Sequence, residues 1–379
     1  MRVNPALDQV GAHPIAAIQH RVRRLEDEGG KVIDFSIGDP REPTWEAIPE
    51  AVRRAVPTVS QNPTTKGTAQ LRRAIAGYVE RRFKVGIDPD TQVMPTSGSK
   101  EAIFSTALAF VDRDRGDVVA YPDPAYPVYE RGAVMAGARA VAVPTDGSLL
   151  LTADRVERMV GDDLALLWIC SPSNPTGAVT GRQQLMELVE ATRGRDSLLC
   201  SDECYVDLYD EGDEPPASVL EVAGTGSAGV LSYLSLSKRS GMTGYRSGAI
   251  VGDAAAVERL YRLRTSTGTA SAEFIQAGAA VAWSDDAHVG ARRRAFSAKR
   301  AILRSVFEQR GLRVWAEAGL YLWIEVGDDL AITERLAEAG VVVTPGRIFG
   351  SRGAGHIRLA LVPPVEDCAA AAEVVAGVL

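Results

Sequence analysis

Cysteine and histidine are scarce in this chain. Its 379 residues include four cysteines, Cys170, Cys200, Cys204 and Cys368, and four histidines, His13, His20, His288 and His356. No two cysteines form a Cys-x-x-Cys pair, and their spacing does not read as a disulfide framework. Cys170 and Cys200 sit in apolar, strand-like runs and read as small buried hydrophobes. The histidines lack metal-ligand spacing beside a third ligand, so no metal is expected. Long hydrophobic runs are missing too: none approaches the roughly 18 apolar residues of a membrane span. The N-terminus lacks a signal-peptide pattern, because Pro14, His20 and a cluster of charges break its first apolar run. A cytoplasmic protein that associates with no membrane is therefore expected. Positive charge is in deficit, with a net charge of -7 and a pI of about 5.4. That balance argues against a nucleic-acid or membrane-surface binder, while leaving room for a local basic pocket.

What is present is ordinary for a soluble globular enzyme: 46% apolar and 24% charged residues. The length suits about two domains. Strand-like runs at Asp117–Tyr121, Ala140–Val143, Ala165–Cys170, Ser197–Ser201, Val230–Ser235 and Ser247–Val251 alternate with helical segments such as Ser99–Val111 and Arg182–Arg193. This alternation predicts an α/β fold with a mostly parallel sheet, and apolar strands covered on both faces. The last third differs. A long Arg- and Ala-rich helix is expected over Ala287–Arg310, followed by short strands near Tyr321–Val326, Val341–Thr344 and His356–Leu361. The reading is a large domain over 46–285 and a smaller α+β domain made of 1–45 and 286–379. Glu211–Pro216 reads as a surface loop.

Four segments carry chemistry. The first is Ser235-Leu-Ser-Lys238, followed by a glycine-containing loop that ends at Arg246. A lysine amine forms imines with aldehydes and, once free, shuttles protons. Nearby hydroxyls and an arginine suit a phosphate dianion. The second is Ser201-Asp202-Glu203-Cys204-Tyr205, directly after a strand. An acid at a strand's carboxyl end lies where open α/β sheets bind ligands, and it could pair with a protonated ring nitrogen. A helix N-cap is the plainer role for Asp202. The third is Ser171-Pro-Ser-Asn174-Pro-Thr-Gly177, a turn sequence whose Asn174 amide could bind a phenolic oxygen, as could Tyr205. The fourth is Thr96-Ser-Gly98-Ser99-Lys100-Glu101 at a helix start, a pattern for an anion site or a plain N-cap, without Walker spacing. Three segments follow strands and the fourth opens a helix, so all four can converge on one sheet edge. Together they meet the separate needs of pyridoxal phosphate (PLP).

At these motifs the sequence resembles the class I/II aminotransferases of fold type I, over nearly its whole length. The resemblance implies a large domain built on a mostly parallel seven-stranded sheet, beside a smaller α+β domain. It implies ping-pong transfer of an amino group between an amino acid and a 2-oxo acid, with Lys238 as the Schiff-base lysine and Asp202 on the ring nitrogen as the catalytic pair. Asn174 and Tyr205 match the phenolic-oxygen partners. Ser99, Lys100, Ser235, Ser237 and Arg246 match the phosphate end, and Tyr126, in Asp123-Pro-Ala-Tyr-Pro, the aromatic stacked on the ring. Arg358, in His356-Ile-Arg-Leu-Ala-Leu, matches the arginine on the substrate carboxylate, a task that suits a planar fork. Gly38, in Ser36-Ile-Gly-Asp-Pro, matches the glycine whose backbone faces the substrate, which Asn174 also approaches. A homodimer with shared active sites is implied.

Within the family, Pro63-Thr-Thr-Lys66-Gly-Thr, Ser235-Leu-Ser-Lys-Arg-Ser240 and Gly346-Arg-Ile-Phe-Gly350 look most like N-succinyldiaminopimelate aminotransferases of lysine biosynthesis, which use glutamate as the amino partner. One position departs. Asn62 stands where the family usually has a tyrosine that reaches the partner subunit's site, and asparagine supplies no phenol. That keeps open a specialised pathway with another substrate, or another PLP reaction such as elimination or racemisation. A non-catalytic PLP-sensing module lacks the added helix-turn-helix segment it would need. Trp45, Tyr321 and Trp323 could line the pocket or simply pack the core. Arg41, Lys66 and Arg239 could bind a second carboxylate or be solvated surface charges, and Arg292–Arg294 reads as an exposed helix face.

Overall fold

Seven strands form the central sheet of the computed structural model, which describes residues 1–11, 14–27 and 29–379. His13 thus lies outside the described residues. The strands are β1 (Val93–Thr96), β2 (Val118–Asp123), β3 (Arg139–Pro144), β4 (Leu164–Cys170), β5 (Leu198–Asp202), β6 (Val230–Ser235) and β7 (Gly248–Gly252). Their spatial order is β1-β7-β6-β5-β4-β2-β3. The strands from β6 to β3 pair in parallel, while β7 runs antiparallel to both β6 and β1. The fold is α/β of fold type I. Alternate residues feed two cores, one on each face. Along β4, Leu166 and Trp168 face one cluster while Leu167 and Ile169 face the other. This is why the strands read as continuous apolar runs.

The sequence reading missed β1. It has four residues and contains Pro95, both poor strand signals. An edge strand has one side without a ladder to serve, and there a proline is tolerated. The other six strands fall within two residues of their expected ends.

A second, antiparallel sheet pairs Thr344–Pro345, His356–Ala360, Tyr321–Glu325 and Val314–Trp315 in that order. The run expected as one strand, Val341–Thr344, divides: Val341–Val342 pairs in parallel with Ile33–Asp34, while Thr344 joins the four-stranded sheet. This pairing ties the N-terminal segment to the C-terminal third. Among the described residues, no helix is long and apolar enough to cross a membrane.

The long helix, Ala287–Gln309, has a buried stripe of Val289, Arg292, Phe296, Lys299, Arg300, Leu303, Val306 and Phe307. The three-to-four spacing is that of a core-facing helix. Three members of the stripe are cations, which corrects the reading of Arg292–Arg294 as an exposed face: Arg292 is 6% exposed. Arg239 is a second correction. It is buried, pairing with Asp207 at 2.8 Å and Asp286 at 2.5 Å and donating to the Ala282 carbonyl at 2.8 Å. It is neither solvated nor in the pocket. Glu211–Pro216 is a loop, exposed over most of its length.

Candidate active site

The parallel strands end on one edge of the sheet, and the chemistry-bearing residues sit there. Asp202 ends β5, Lys238 lies in the helical turn after β6, and Asn174 follows β4. Tyr126 follows β2, while Ser99 and Lys100 open the helix after β1. Because β7 runs the other way, it begins at this edge, which brings Arg246 in as well. A cavity of about 290 Å³ opens there. Of the residues expected from sequence, all but Asn62 line it, Gly38 and Arg358 included. Asn62 is exposed and outside the cavity of its own chain.

Asp202, in the cavity lining, is 3% exposed. Its Oδ2 accepts from the Tyr129 hydroxyl at 2.7 Å and its Oδ1 from the Cys204 backbone N–H at 3.2 Å. Burial pushes the carboxyl above its ordinary value, and those bonds oppose the shift. Among the described residues no helix starts directly after Asp202, so the N-cap alternative is not met, and the Cys204 bond closes a local turn instead. Tyr129 stacks on Trp168 with ring centroids 5.0 Å apart, which fixes its hydroxyl. The sequence reading missed Tyr129. Its signal was the spacing from Tyr126, one helical turn away on the same face.

Lys238 donates through Nζ to the Gly38 carbonyl. Burial lowers the amine to about 8, with Asp39 pulling against it and Arg246 and Arg358 adding to it. Gly38 has to be a glycine, because a Cβ there would collide with the Tyr321 hydroxyl. That hydroxyl pairs with Tyr205 Oη at 3.0 Å, so Tyr321 belongs to the cavity wall. Trp323, one strand register on, is core: its ring stacks on His356 at 5.0 Å. Trp45 stacks on His288 away from this cavity.

Arg358, 2% exposed, donates Nη1 to Asn174 Oδ1 at 2.9 Å and Nη2 to the Ser36 carbonyl at 2.6 Å. Its guanidinium lies 4.5 Å from the Tyr321 ring centroid, and its buried Nε has no hydrogen-bond partner among the described residues. A buried, half-satisfied cation at a cavity wall is a receptor for an anion.

Part of the lining is basic, with Lys100 and Arg246. Gly98, at φ +82°, caps the helix Ser99–Phe110, and a Cβ there would strike the Arg246 guanidinium. The missing side chain lets Arg246 lie across the helix N-terminus, where backbone N–H groups and the helix dipole favour anions. Lys100 has its amine lowered by partial burial first and then by Arg246 and Arg131. Ser235 Oγ accepts from the Ser237 N–H at 3.2 Å, closing the turn that carries Lys238. One cavity thus combines a lysine amine, a buried carboxylate, a buried guanidinium and a basic helix N-terminus. Among the described residues, no group of three or more His, Cys, Asp or Glu could hold a metal ion.

Comparison with known proteins agrees with this constellation. Residues 30–375 match the family described as aminotransferase class I and II. The chain belongs to the class I and II aminotransferases. It is a PLP-dependent aminotransferase acting on amino acids and 2-oxo acids. It is 34% identical over 378 residues to the LL-diaminopimelate aminotransferase of Gloeobacter violaceus, covering 97% of this chain and 95% of that protein. It is 36% identical over 345 residues to the 4-dedimethylamino-4-oxo-anhydrotetracycline transaminase of Streptomyces rimosus, covering 90% of this chain and 92% of the relative. Among solved structures, a probable N-succinyldiaminopimelate aminotransferase from Thermus thermophilus superposes with a TM-score of 0.89 at 28% identity, covering 97% of this chain and 100% of that one.

The aminotransferase's cavity fits PLP on its own terms. The acid, the lysine and the basic groups all line the same cavity. The Asp202 oxygens each accept one bond, leaving lone pairs for a ring N–H.

Proposed function

We propose that this aminotransferase transfers the amino group of N-succinyl-L,L-diaminopimelate to 2-oxoglutarate, yielding glutamate, in lysine biosynthesis. The convergence of Lys238 Nζ with the Asn174–Arg358 pair in one cavity carries the transamination part. The substrate part leans on the three sequence stretches named above and on relatives and a solved neighbour whose names carry diaminopimelate.

PLP supplies the electron sink that makes a substrate α-proton acidic. The remaining work falls to side chains. Arg358 receives the substrate carboxylate on its fork, aimed by Asn174 and the Ser36 carbonyl. Gly38 presents backbone to the substrate. Lys238, its amine softened to about 8, would take the substrate α-proton and deliver it to the cofactor's imine carbon, on the far side of the amino nitrogen. Asp202 would hold the ring nitrogen protonated, with Tyr129 and the Cys204 N–H keeping the carboxylate oriented. Tyr126 would cover the ring face, and Tyr205 and Asn174 would serve its phenolic oxygen. Ser99, Lys100, Ser235, Ser237 and Arg246 would hold the phosphate. We further propose a cytoplasmic homodimer. The stretch leading to Asn62 exposes Val56 at 57% and Val59 at 72%, as a segment reaching into a partner would.

A second reading keeps the cofactor and changes the substrate or the reaction: another amine of a specialised pathway, or a non-transamination reaction. Asn62 in place of a phenol favours it, as does the similarity to the Streptomyces rimosus enzyme. A single-turnover screen separates the readings. Each donor — glutamate, N-succinyl-L,L-diaminopimelate, L,L-diaminopimelate and others — is mixed with the PLP enzyme, and the cofactor spectrum is followed. Conversion by glutamate and the succinylated donor is expected. No response to the succinylated donor removes the substrate assignment, and no donor-driven conversion at all removes transamination.

A further inference from the structure

Behind the active site, the long helix places one buried guanidinium between the two segments that face each other across the lysine. Arg292 Nε donates to the Lys238 carbonyl at 3.2 Å and Nη1 to the Pro43 carbonyl at 3.4 Å, while Nη2 lies 3.7 Å from Glu42 Oε2. Glu42 is also bound by Lys299, one helical stripe further along, and Lys299 donates to the Leu361 carbonyl at 3.2 Å, just past the strand that bears Arg358. The segments are joined in front as well: Thr44 Oγ1 donates to the Gly241 carbonyl at 2.7 Å, and Lys238 Nζ to the Gly38 carbonyl. Gly241, at φ +67°, leaves the space the guanidinium fills, since a Cβ there would sit 2.8 Å from Arg292 Nη1.

These contacts close a circuit: lysine side chain to Gly38, along the loop to Pro43 and Glu42, through Arg292, and back to the lysine's own carbonyl. As a means of stabilising the fold this is poor. Burying a guanidinium for two carbonyls and a loose ion pair is costly, and an apolar side chain of the same length would pack as well. What the fork supplies is geometry, because a planar group with fixed donor directions spans three partners that a point charge cannot.

We propose that Arg292 is a positioning residue for the transamination. It touches neither substrate nor cofactor. It sets the separation between the Lys238 turn and the Gly38–Thr44 loop, and so aims Nζ into the cavity. The inference rests on Lys238 being the PLP lysine, which Lys238→Ala tests by itself. If the absorbance of the lysine-bound cofactor survives that change, the lysine assignment fails whatever Arg292 does.

The test uses the full chain, with Arg292→Met, Arg292→Lys, Thr44→Val and the Arg292→Met/Thr44→Val double variant, and Arg294→Ala on the exposed face as control. Three quantities are read: kcat and KM with glutamate, the pH midpoint at which apoenzyme captures PLP, and amide hydrogen exchange of residues 236–241 in the apoenzyme. Arg292→Met should lower kcat by roughly tenfold to a hundredfold, the scale of a misaimed reacting group. KM should change far less, the capture midpoint should rise toward that of an ordinary lysine, and exchange in the turn should quicken. Arg292→Lys should fall short of rescue. Thr44→Val should do less, and the double variant should match Arg292→Met alone, because both ties hold one separation that is already lost without Arg292. Folded Arg292→Met with unchanged kcat, midpoint and exchange overturns the proposal, as do effects that simply multiply in the double variant. Should Arg292→Met not fold, Arg292→Lys and Thr44→Val decide. Wild-type values for both overturn it, and the losses described uphold it.

Discussion

Lys238 is the residue whose surroundings make the most specific demand. Burial holds its amine near 8, against an ordinary 10.5. Capture of PLP requires the neutral amine, so the capture rate of apoenzyme should climb with pH around a midpoint near 8. A midpoint at the ordinary lysine value, read from the cofactor absorbance, would refute the desolvated environment. The same shift bears on stability. The folded chain disfavours the charged amine, so the unfolded chain holds more protons between about 8 and 10.5. The Lys238 contribution to apoprotein stability should therefore rise with pH across that window and vanish in Lys238→Met. Tyr129→Phe offers a second test at this scale. It removes one charged-acceptor hydrogen bond from Asp202, worth about 1.5–3 kcal/mol, and should lower kcat with little change in KM. Residues whose chemistry is written in a short motif were legible beforehand: Lys238, Asp202, Asn174 and Arg358 all line the cavity. Tyr129 and Arg292 were not, because each meets a partner distant in sequence, and Tyr321 was left open between pocket wall and core.

The elements explain which of these motifs could be read. Six of the seven strands announced themselves as continuous apolar runs, while β1 was hidden by its length and by Pro95. The helix start after β1 was still legible, since glycine followed by serine and lysine marks an anion site on local grounds alone. Its geometry sharpens into a prediction. Gly98→Ala places a methyl against the Arg246 guanidinium and forces a left-handed backbone on alanine. PLP affinity should fall by about tenfold or more, the cost of one charge-assisted bond, with the helix otherwise intact by circular dichroism. Unchanged affinity in a fluorescence titration would show that Arg246 does not serve the phosphate. The long helix gave the opposite lesson. Its Arg-rich composition suggested solvent, yet its 3.6-residue period points three cations inward. Composition alone could not reveal that Glu42 and Asp210 wait there as counter-charges.

For the whole molecule, the two sheets divide the labour. The central sheet supplies the lysine, the acid and the basic helix start proposed for the phosphate, while the C-terminal sheet supplies Arg358 and Tyr321. Asn62 lies outside its own chain's cavity, so the proposed dimer is the arrangement that gives it a site. Sedimentation should show a dimer, and activity should fall on dilution below its dissociation constant. A fully active monomer would end that proposal. Partner surfaces leave little trace in a single sequence, because a residue that serves another copy looks like any exposed polar residue. The pairing of β1 with β7 has a consequence for how the chain is made. β1 emerges from the ribosome early, but its hydrogen-bonding neighbour, Gly248–Gly252, is synthesised far later. Until then the first strand and the phosphate cup it positions are unfinished. A nascent chain arrested before Gly248 should bind no cofactor, and protection of Val93–Thr96 from proteolysis should mark the moment at which the site becomes whole.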